Sequence, residues 1–214
     1  MAQLLSIQIG RPQDLAPTPD DLSHKPWRTA FYKQPIEGPI AVGKLGLEGD
    51  DVADRRVHGG VDKAICVYSA EHFPYWRYEL GFGSEFTGGA FGENFTLAEL
   101  TEGDVCIGDV WRIGSATLQV SQPRQPCWKL ARRWKVKDLT LRVIQNGYTG
   151  WYLRVLTEGE VEPGAEIALD DRPHADWPLT RANQVMYDKA SADKESLARV
   201  PALSTSWHEQ LLGG

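Results

Sequence analysis

Cys127 is the side chain best placed to do chemistry, in the segment Val120-Ser121-Gln122-Pro123-Arg124-Gln125-Pro126-Cys127-Trp128-Lys129-Leu130. An apolar alternation ends there, and a helical spacing starts immediately after the cysteine. Proline fixes φ, so Pro123 and Pro126 stiffen the stretch of chain that carries Arg124 and Cys127. A helix start and a nearby guanidinium both favour a thiolate over a thiol. A preorganised thiolate serves as a soft-metal ligand or as a nucleophile. The competing reading is an ordinary buried cysteine, since free Cys is among the most buried residue types. The residues alone leave both open.

A second cluster runs from Gly46 to Lys63, GLEGDDVADRRVHGGVDK. His58 precedes Gly59 and Gly60, where backbone can come close to a ligand and offer N–H groups to an anion. Lys63 adds positive charge at the mouth of the next strand. His58 is equally readable as a hydrogen-bonded structural histidine, and Asp50, Asp54 and Asp62 as turn formers. A third segment, Gly89-Ala90-Phe91-Gly92-Glu93-Asn94-Phe95-Thr96, is either a loop wrapped on a ligand or a tight hairpin. Zinc shared by His58 and Cys127 is disfavoured, because zinc takes three or four protein ligands and no HxxxH or CxxC spacing is present.

The elements that must position these residues follow from periodicity. Residues 3–9 read as an opening strand and Trp27 to Tyr32 as a second, with a surface loop over 11–26. Residues 44–62 hold too few apolar anchors for core, so this loop is mobile or built around something polar. Ala64 to Tyr68 is a buried strand that makes Cys66 a core residue. Ser69 caps a helix that ends by Gly81. Val110 to Ile113 and Thr117 to Ser121 pair around Gly114-Ser115, residues 128–134 and 136–146 are helical, and Trp151 to Leu156 and Glu166 to Leu169 close the sheet. Past Asp170-Asp171-Arg172-Pro173 the spacing predicts helices over 179–189, 193–199 and 204–212. The expectation is a β-rich α+β domain over 1–171 and a small helical appendage over 172–214. The tryptophans are expected to pack rather than stack on ligands.

Composition narrows the function classes. Of 214 residues, 23 are Lys or Arg and 29 are Asp or Glu, a net charge of −6 that argues against a nucleic-acid polymer as partner. No apolar run approaches the about 20 residues that span a bilayer, and Met1 to Ile7 does not read as a secretion signal. Three cysteines without a CxxC pair fit a reducing, cytoplasmic compartment.

Taken together, GLEGDDVADRRVHGGVDKAICVYSAEHFPYW (46–76), GGAFGENF (88–95), SQPRQPCWKL (121–130) and GWYLRVLTEGEV (150–161) resemble the MOSC domains, named for the C-terminal domain of molybdenum-cofactor sulfurase, and in particular their bacterial YiiM-type subgroup. KPWRTAFYKQPIEGPI (25–40) is similar to that subgroup's N-terminal segment, and residues 177–187 and 204–207 to its three-helix extension. The resemblance implies a β-barrel of mixed strands with peripheral helices. It implies that Cys127 is the protein ligand to molybdenum, held by a pterin dithiolene that carries a phosphate. Arg124, Lys25, Arg28, His58 and Lys63 then contact the cofactor's anionic parts, Gly59 and Gly60 allow close backbone approach, and Asn94 holds a polar edge of cofactor or substrate.

The activity so implied is molybdenum-cofactor-dependent reduction of N-hydroxylated compounds, such as N-hydroxylated purine bases, to amines. Electrons come from a flavin- or haem-containing partner, and the chain is a candidate homodimer. The alternative is a non-catalytic carrier of sulfur or cofactor, whose signature is persulfide chemistry at Cys127. A basic cavity in an acidic protein is the structural expectation.

Overall fold

The opening alternation forms β1 (Gln3–Ile9), and a bulge between Leu4 and Ser6 lets both Leu4 and Ile7 turn into the core. The computed structural model, which describes residues 1–213, continues with a ribbon of β2 (Gln13–Leu15) and β3 (Trp27–Thr29). The expected strand stops at Thr29 because Thr29 Oγ1 accepts the Phe31 N–H at 3.0 Å and turns the chain. β4 (Gln34–Pro35) edges β1, while β5 (Ile40–Gly43) and β6 (Gly46–Leu47) start a small separate sheet. β7 (Ile65–Ser69) leads into a turn capped by Ser69 and then α1 (Phe73–Leu80), which ends at left-handed Gly81. β8 (Phe95–Ala98) lies parallel to β7, a pairing that requires the long crossover through α1 and the glycine-rich segment.

β9 (Val110–Ile113), β10 (Ala116–Pro123), β11 (Trp151–Thr157) and β13 (Ile167–Asp171) complete the main sheet, and β12 (Gly159–Val161) pairs with β5. The order β13-β9-β10-β11-β7-β8-β1-β4 is a curled, mixed eight-stranded half-barrel. Its open side is narrowed where β1 meets the start of β13 in a single Gln3–Glu166 bridge, held by Leu4 N to Ala165 O (2.9 Å) and Ile167 N to Ala2 O (3.0 Å). Strands β5, β8 and β12 were not anticipated: each is four residues or fewer, and its pairing partner lies far away in the chain.

α2 (Trp128–Trp134) and α3 (Leu139–Asn146) pack with α1 around Tyr68, Trp76, Phe86 and Phe91. α4 (Leu179–Tyr187), α5 (Lys194–Ala198) and α6 (Thr205–Leu212) bury Leu179, Val185, Leu197 and Trp207 in the same core as Leu118, Val120 and Trp151 of the sheet. The C-terminal helices are therefore anchored on the barrel, close enough for α6 to border the site below.

Candidate functional site

Strand register builds the first wall. Gln122 of β10, Tyr152 of β11 and Cys66 of β7 are successive cross-strand partners and share one face, while Trp151 and Leu153 turn to the core. Cys66, expected as core, is buried but opens onto the cavity. An unbroken apolar run does not reveal which of its faces meets a void. Burial pushes the Cys66 thiol and the Tyr152 phenol up, so both stay protonated.

Past β10 the chain is pinned by Arg124 N donating to Gly150 O at 2.9 Å. Gly150 has φ +70°, and a Cβ there would lie 2.2 Å from Val67 O, so only glycine lets the backbone pass this close. Arg124 is thereby buried with its guanidinium facing the cavity, and its Nη1 has no hydrogen-bond partner. Burial opposes that charge, while the ionisable groups of Cys66, Tyr152, Cys127 and Glu93 around it push the guanidinium above its ordinary value once they ionise, so Arg124 stays charged. Three residues on, Cys127 is half-buried, its carbonyl taking Leu130 N and Thr140 Oγ1, both at 3.1 Å. Its side chain caps no helix N–H, so the sulfur is left to the cavity.

The loop over 44–62 forms the opposite wall, and polar hydrogen bonds shape it. Asp51 Oδ1 accepts Val52 N (2.7 Å), Asp54 Oδ1 accepts Arg56 N (3.1 Å), and Asp54 O accepts His58 N (3.0 Å). Asp62 does more than turn the chain: it takes Arg154 of β11 at 2.6 Å and the Thr205 N–H that opens α6 at 3.0 Å. Burial, then the charges of Arg124, Lys129 and Lys63, bring the His58 imidazole down to about 4, so it is neutral near pH 7. It borders the cavity as a neutral imidazole, not as a cation. Burial also lowers Lys63, whose Nζ meets only Val57 O at 3.2 Å.

These walls enclose a cavity of about 780 Å³ lined by His58, Gly59, Gly60, Lys63, Arg124 and Cys127. Asn94 also borders it, but the amide is occupied: Oδ1 accepts Cys66 N (3.1 Å), and Nδ2 donates to Gln8 O (3.2 Å) and Asp50 Oδ2 (2.9 Å). Asn94 thus fastens the floor, with both Nδ2 hydrogens committed to the protein itself. Asp50 there also accepts Gly10 N (2.7 Å) and pairs with buried Lys33. Glu93 likewise turns inward, accepting Gly89 N (2.6 Å), Phe91 N (2.9 Å) and Thr96 Oγ1 (3.0 Å), and so ties the glycine-rich loop to itself.

A second cavity of about 670 Å³ lies on the other side of Cys127 and shares His58, Lys63, Lys129 and Tyr152 with the first. Arg28 borders only this one, and it is paired with Asp14 at 2.5 Å. Lys25 borders neither; it is exposed, and its carbonyl accepts Arg132 Nη2. Lys25 thus lies outside both cavities, and the β2–β3 ribbon puts Arg28 on the second one, which also holds Cys127, His58 and Lys63. By contrast, Lys129 and Tyr152, overlooked in the sequence reading, line both cavities. Tyr152 was legible from the β11 alternation, which turns it opposite to Trp151 and Leu153.

Arg124, His58, Lys63 and Lys129 form no salt bridge among the described residues, whereas Lys33 and Arg55 on the same cavity do. Arg124, Lys63 and Lys129 are thus the unpaired cations of a cavity whose lining also includes Glu48, Asp50, Asp51 and Glu158. Among the described residues no group of three or more His, Cys, Asp or Glu is gathered for a metal. A metal bound at Cys127 therefore has to bring most of its ligands with it.

Residues 54–168 match the MOSC domain family. The chain belongs to that family. The MOSC relatives include the uncharacterized protein YflK of Bacillus subtilis, 43% identical over 98% of this chain and 92% of that protein, and protein YiiM of Escherichia coli, 37% identical over 84% and 81%. A protein named reductase from Gibberella moniliformis is 36% identical over 74% of this chain, which spans only 28% of that protein. The crystal structure of YiiM from Geobacillus stearothermophilus has a TM-score of 0.82 and 40% identity, covering 99% of this chain and 97% of that one. No helix among the described residues is long and apolar enough to cross a membrane.

Proposed function

We propose that this chain is a molybdenum-cofactor-dependent reductase converting N-hydroxylated compounds, N-hydroxylated purine bases among them, to amines. The reading is carried by the Arg124 guanidinium, buried with Nη1 unpartnered, in the cavity that also receives the Cys127 sulfur. A buried, unpaired donor is costly unless a ligand completes it, and an anionic group carrying its own sulfur ligands fits the donor set present. Cys127 supplies the one protein thiolate. Arg124 makes charge-assisted bonds to the cofactor's phosphate, with Lys63 and Lys129 beside it. Gly59 and Gly60 present backbone without side-chain obstruction, His58 adds a neutral hydrogen bond, and Tyr152 keeps its phenolic proton on the shared wall.

When bound, the cofactor supplies the oxygen-accepting, two-electron redox centre. The reaction balances as R–NHOH plus two electrons and two protons giving R–NH2 and water, with the N–O bond broken. A flavin or haem protein is the electron donor, the cytoplasm the compartment, and a homodimer the assembly this reading carries with it. The MOSC membership and the similarity to a protein named reductase support it. The test is anaerobic: reduced, cofactor-loaded protein is mixed with an N-hydroxylated purine. Prompt reoxidation with formation of the amine is expected; a centre that stays reduced would leave a carrier and overturn the reductase.

A further inference from the structure

We infer that the second cavity is a binding site for a flat heteroaromatic ring, with Trp128 as its stacking wall and α6 as its hydrogen-bonding edge. As the substrate side of the reaction, it rests on the reductase reading; as a binding site, it stands on its own geometry. It adjoins the large cavity around Ala53, His58, Lys63, Cys127, Lys129 and Tyr152. A molecule held there can present one group to the sulfur while the large cavity is filled.

Seven of the eight tryptophans are at most 9% exposed and belong to packed interiors, but Trp128 is 54% exposed. Its ring is positioned by Trp27, with centroids 5.7 Å apart, and by the Arg132 guanidinium at 5.7 Å, and the Lys129 ammonium, on a flexible stem that a stacked ring can displace, lies 5.9 Å from its centroid. An indole fixed in place yet left open, directly after Cys127, has no packing duty that explains its exposure. Stacking a flat ring on it would bury apolar area without ordering a new side chain. This departs from the expectation that every tryptophan packs.

The opposite edge comes from the C-terminal helix. Gln125 Nε2 donates to Gln210 Oε1 at 2.9 Å, and Gln210 Nε2 returns toward Gln125 Oε1 at 3.4 Å. Each amide keeps a further N–H and lone pair, so the pair presents donors and acceptors side by side, as the edge of a nucleobase does. Gln122 is not available, since its Oε1 takes Ser204 Oγ (2.6 Å) and Ser206 Oγ (3.1 Å). Instead it fixes the start of α6, as does the Asp62 bond to Thr205 N. The rim guanidiniums of Arg28 and Arg56 are paired with Asp14 and Asp54. The small cavity thus adds stacking and hydrogen bonding to the Lys63 and Lys129 charges it shares with the large one, only the large one has Arg124, and α6 acquires a role in specificity.

Calorimetric titration with adenine, on protein with and without loaded cofactor, tests this. Trp128→Ala should weaken adenine binding about tenfold, within the range of base–aromatic stacking, and Trp128→Phe should keep most of it. Gln210→Ala should lower affinity less. Adenine should also quench indole fluorescence in the unsubstituted protein and less in Trp128→Phe. Equal adenine affinity in Trp128→Ala, or no binding with or without cofactor, overturns the site. Adenine binding that depends on Trp128 in protein unable to reduce N–OH compounds keeps the site and removes the reductase; reduction with binding indifferent to Trp128 does the reverse.

Discussion

The floor and the wall of the large cavity are both polar, yet they are finished differently. On the floor, Lys33, Asp50 and Asn94 complete one another, with Gly10 N, Gln8 O and Cys66 N taking up the remaining bonds. On the wall, Arg124, Lys63 and Lys129 form no salt bridge among the described residues, and Arg124 Nη1 has no hydrogen-bond partner there. Folding satisfies the floor by itself. On the wall, folding leaves hydrogen-bonding capacity unmet. Polarity in a cavity is therefore a poor guide to ligand contact; unmet hydrogen-bonding capacity is the better one.

That contrast can be broken by removing one group from each side. Lys33→Met leaves Asp50 charged and buried without its ion pair, which should cost about 3–5 kcal/mol of stability in denaturant unfolding. An unchanged midpoint would show that the floor does not depend on the pair. Arg124→Met should cost far less stability than Lys33→Met, because Arg124 has no salt-bridge partner that its removal would strand. Molybdopterin retention should instead fall, by about 10–100-fold, as expected for charge-assisted bonds. A large loss of stability with full retention would place Arg124 on the structural side.

Asn94→Ala sharpens the comparison further. Losing the bonds to Cys66 N, Gln8 O and Asp50 should cost about 1–3 kcal/mol, with retention unchanged in the protein that folds. Weaker retention at intact stability would return Asn94 to the ligand.

The smallest effect concerns pH. Burial and the neighbouring cations hold His58 at about 4 in the folded chain against 6.5 ordinarily. Between these values the unfolded chain binds the proton and the folded chain does not, so stability is full above about 6.5 and falls as pH drops toward 4. Comparing urea unfolding at pH 7 and pH 5, His58→Gln should lose less stability than the unsubstituted chain. An identical loss would mean that the imidazole titrates normally in its loop.

Much of this wall was visible in the sequence, because prolines, glycines and helix signals act locally. Pro123 and Pro126 frame Arg124 and Cys127 wherever the segment lies, and the Gly59-Gly60 pair opens the backbone beside His58. The floor was not visible. The direction of the Asn94 amide depends on Gln8 and Asp50, residues 86 and 44 positions away. Arg28 carries the same charge as the unpaired cations of the wall, but pairing across the β2–β3 ribbon gives it to Asp14, a partner that local pattern does not reveal. The halves of the fold separate in the same way: β1, the Ser69 and Ser204 caps and the six helices follow local pattern, while the short strands β5, β8 and β12 depend on distant partners.

The most direct test is to purify the protein anaerobically from cells that make the molybdenum cofactor and to measure molybdenum and molybdopterin per chain in the unsubstituted, Cys127→Ser and Arg124→Met forms. The account predicts both components near one per chain in the unsubstituted protein, metal lost with Cys127→Ser, and pterin depleted with Arg124→Met. Equal metal in Cys127→Ser, or no pterin in the unsubstituted protein, would contradict it.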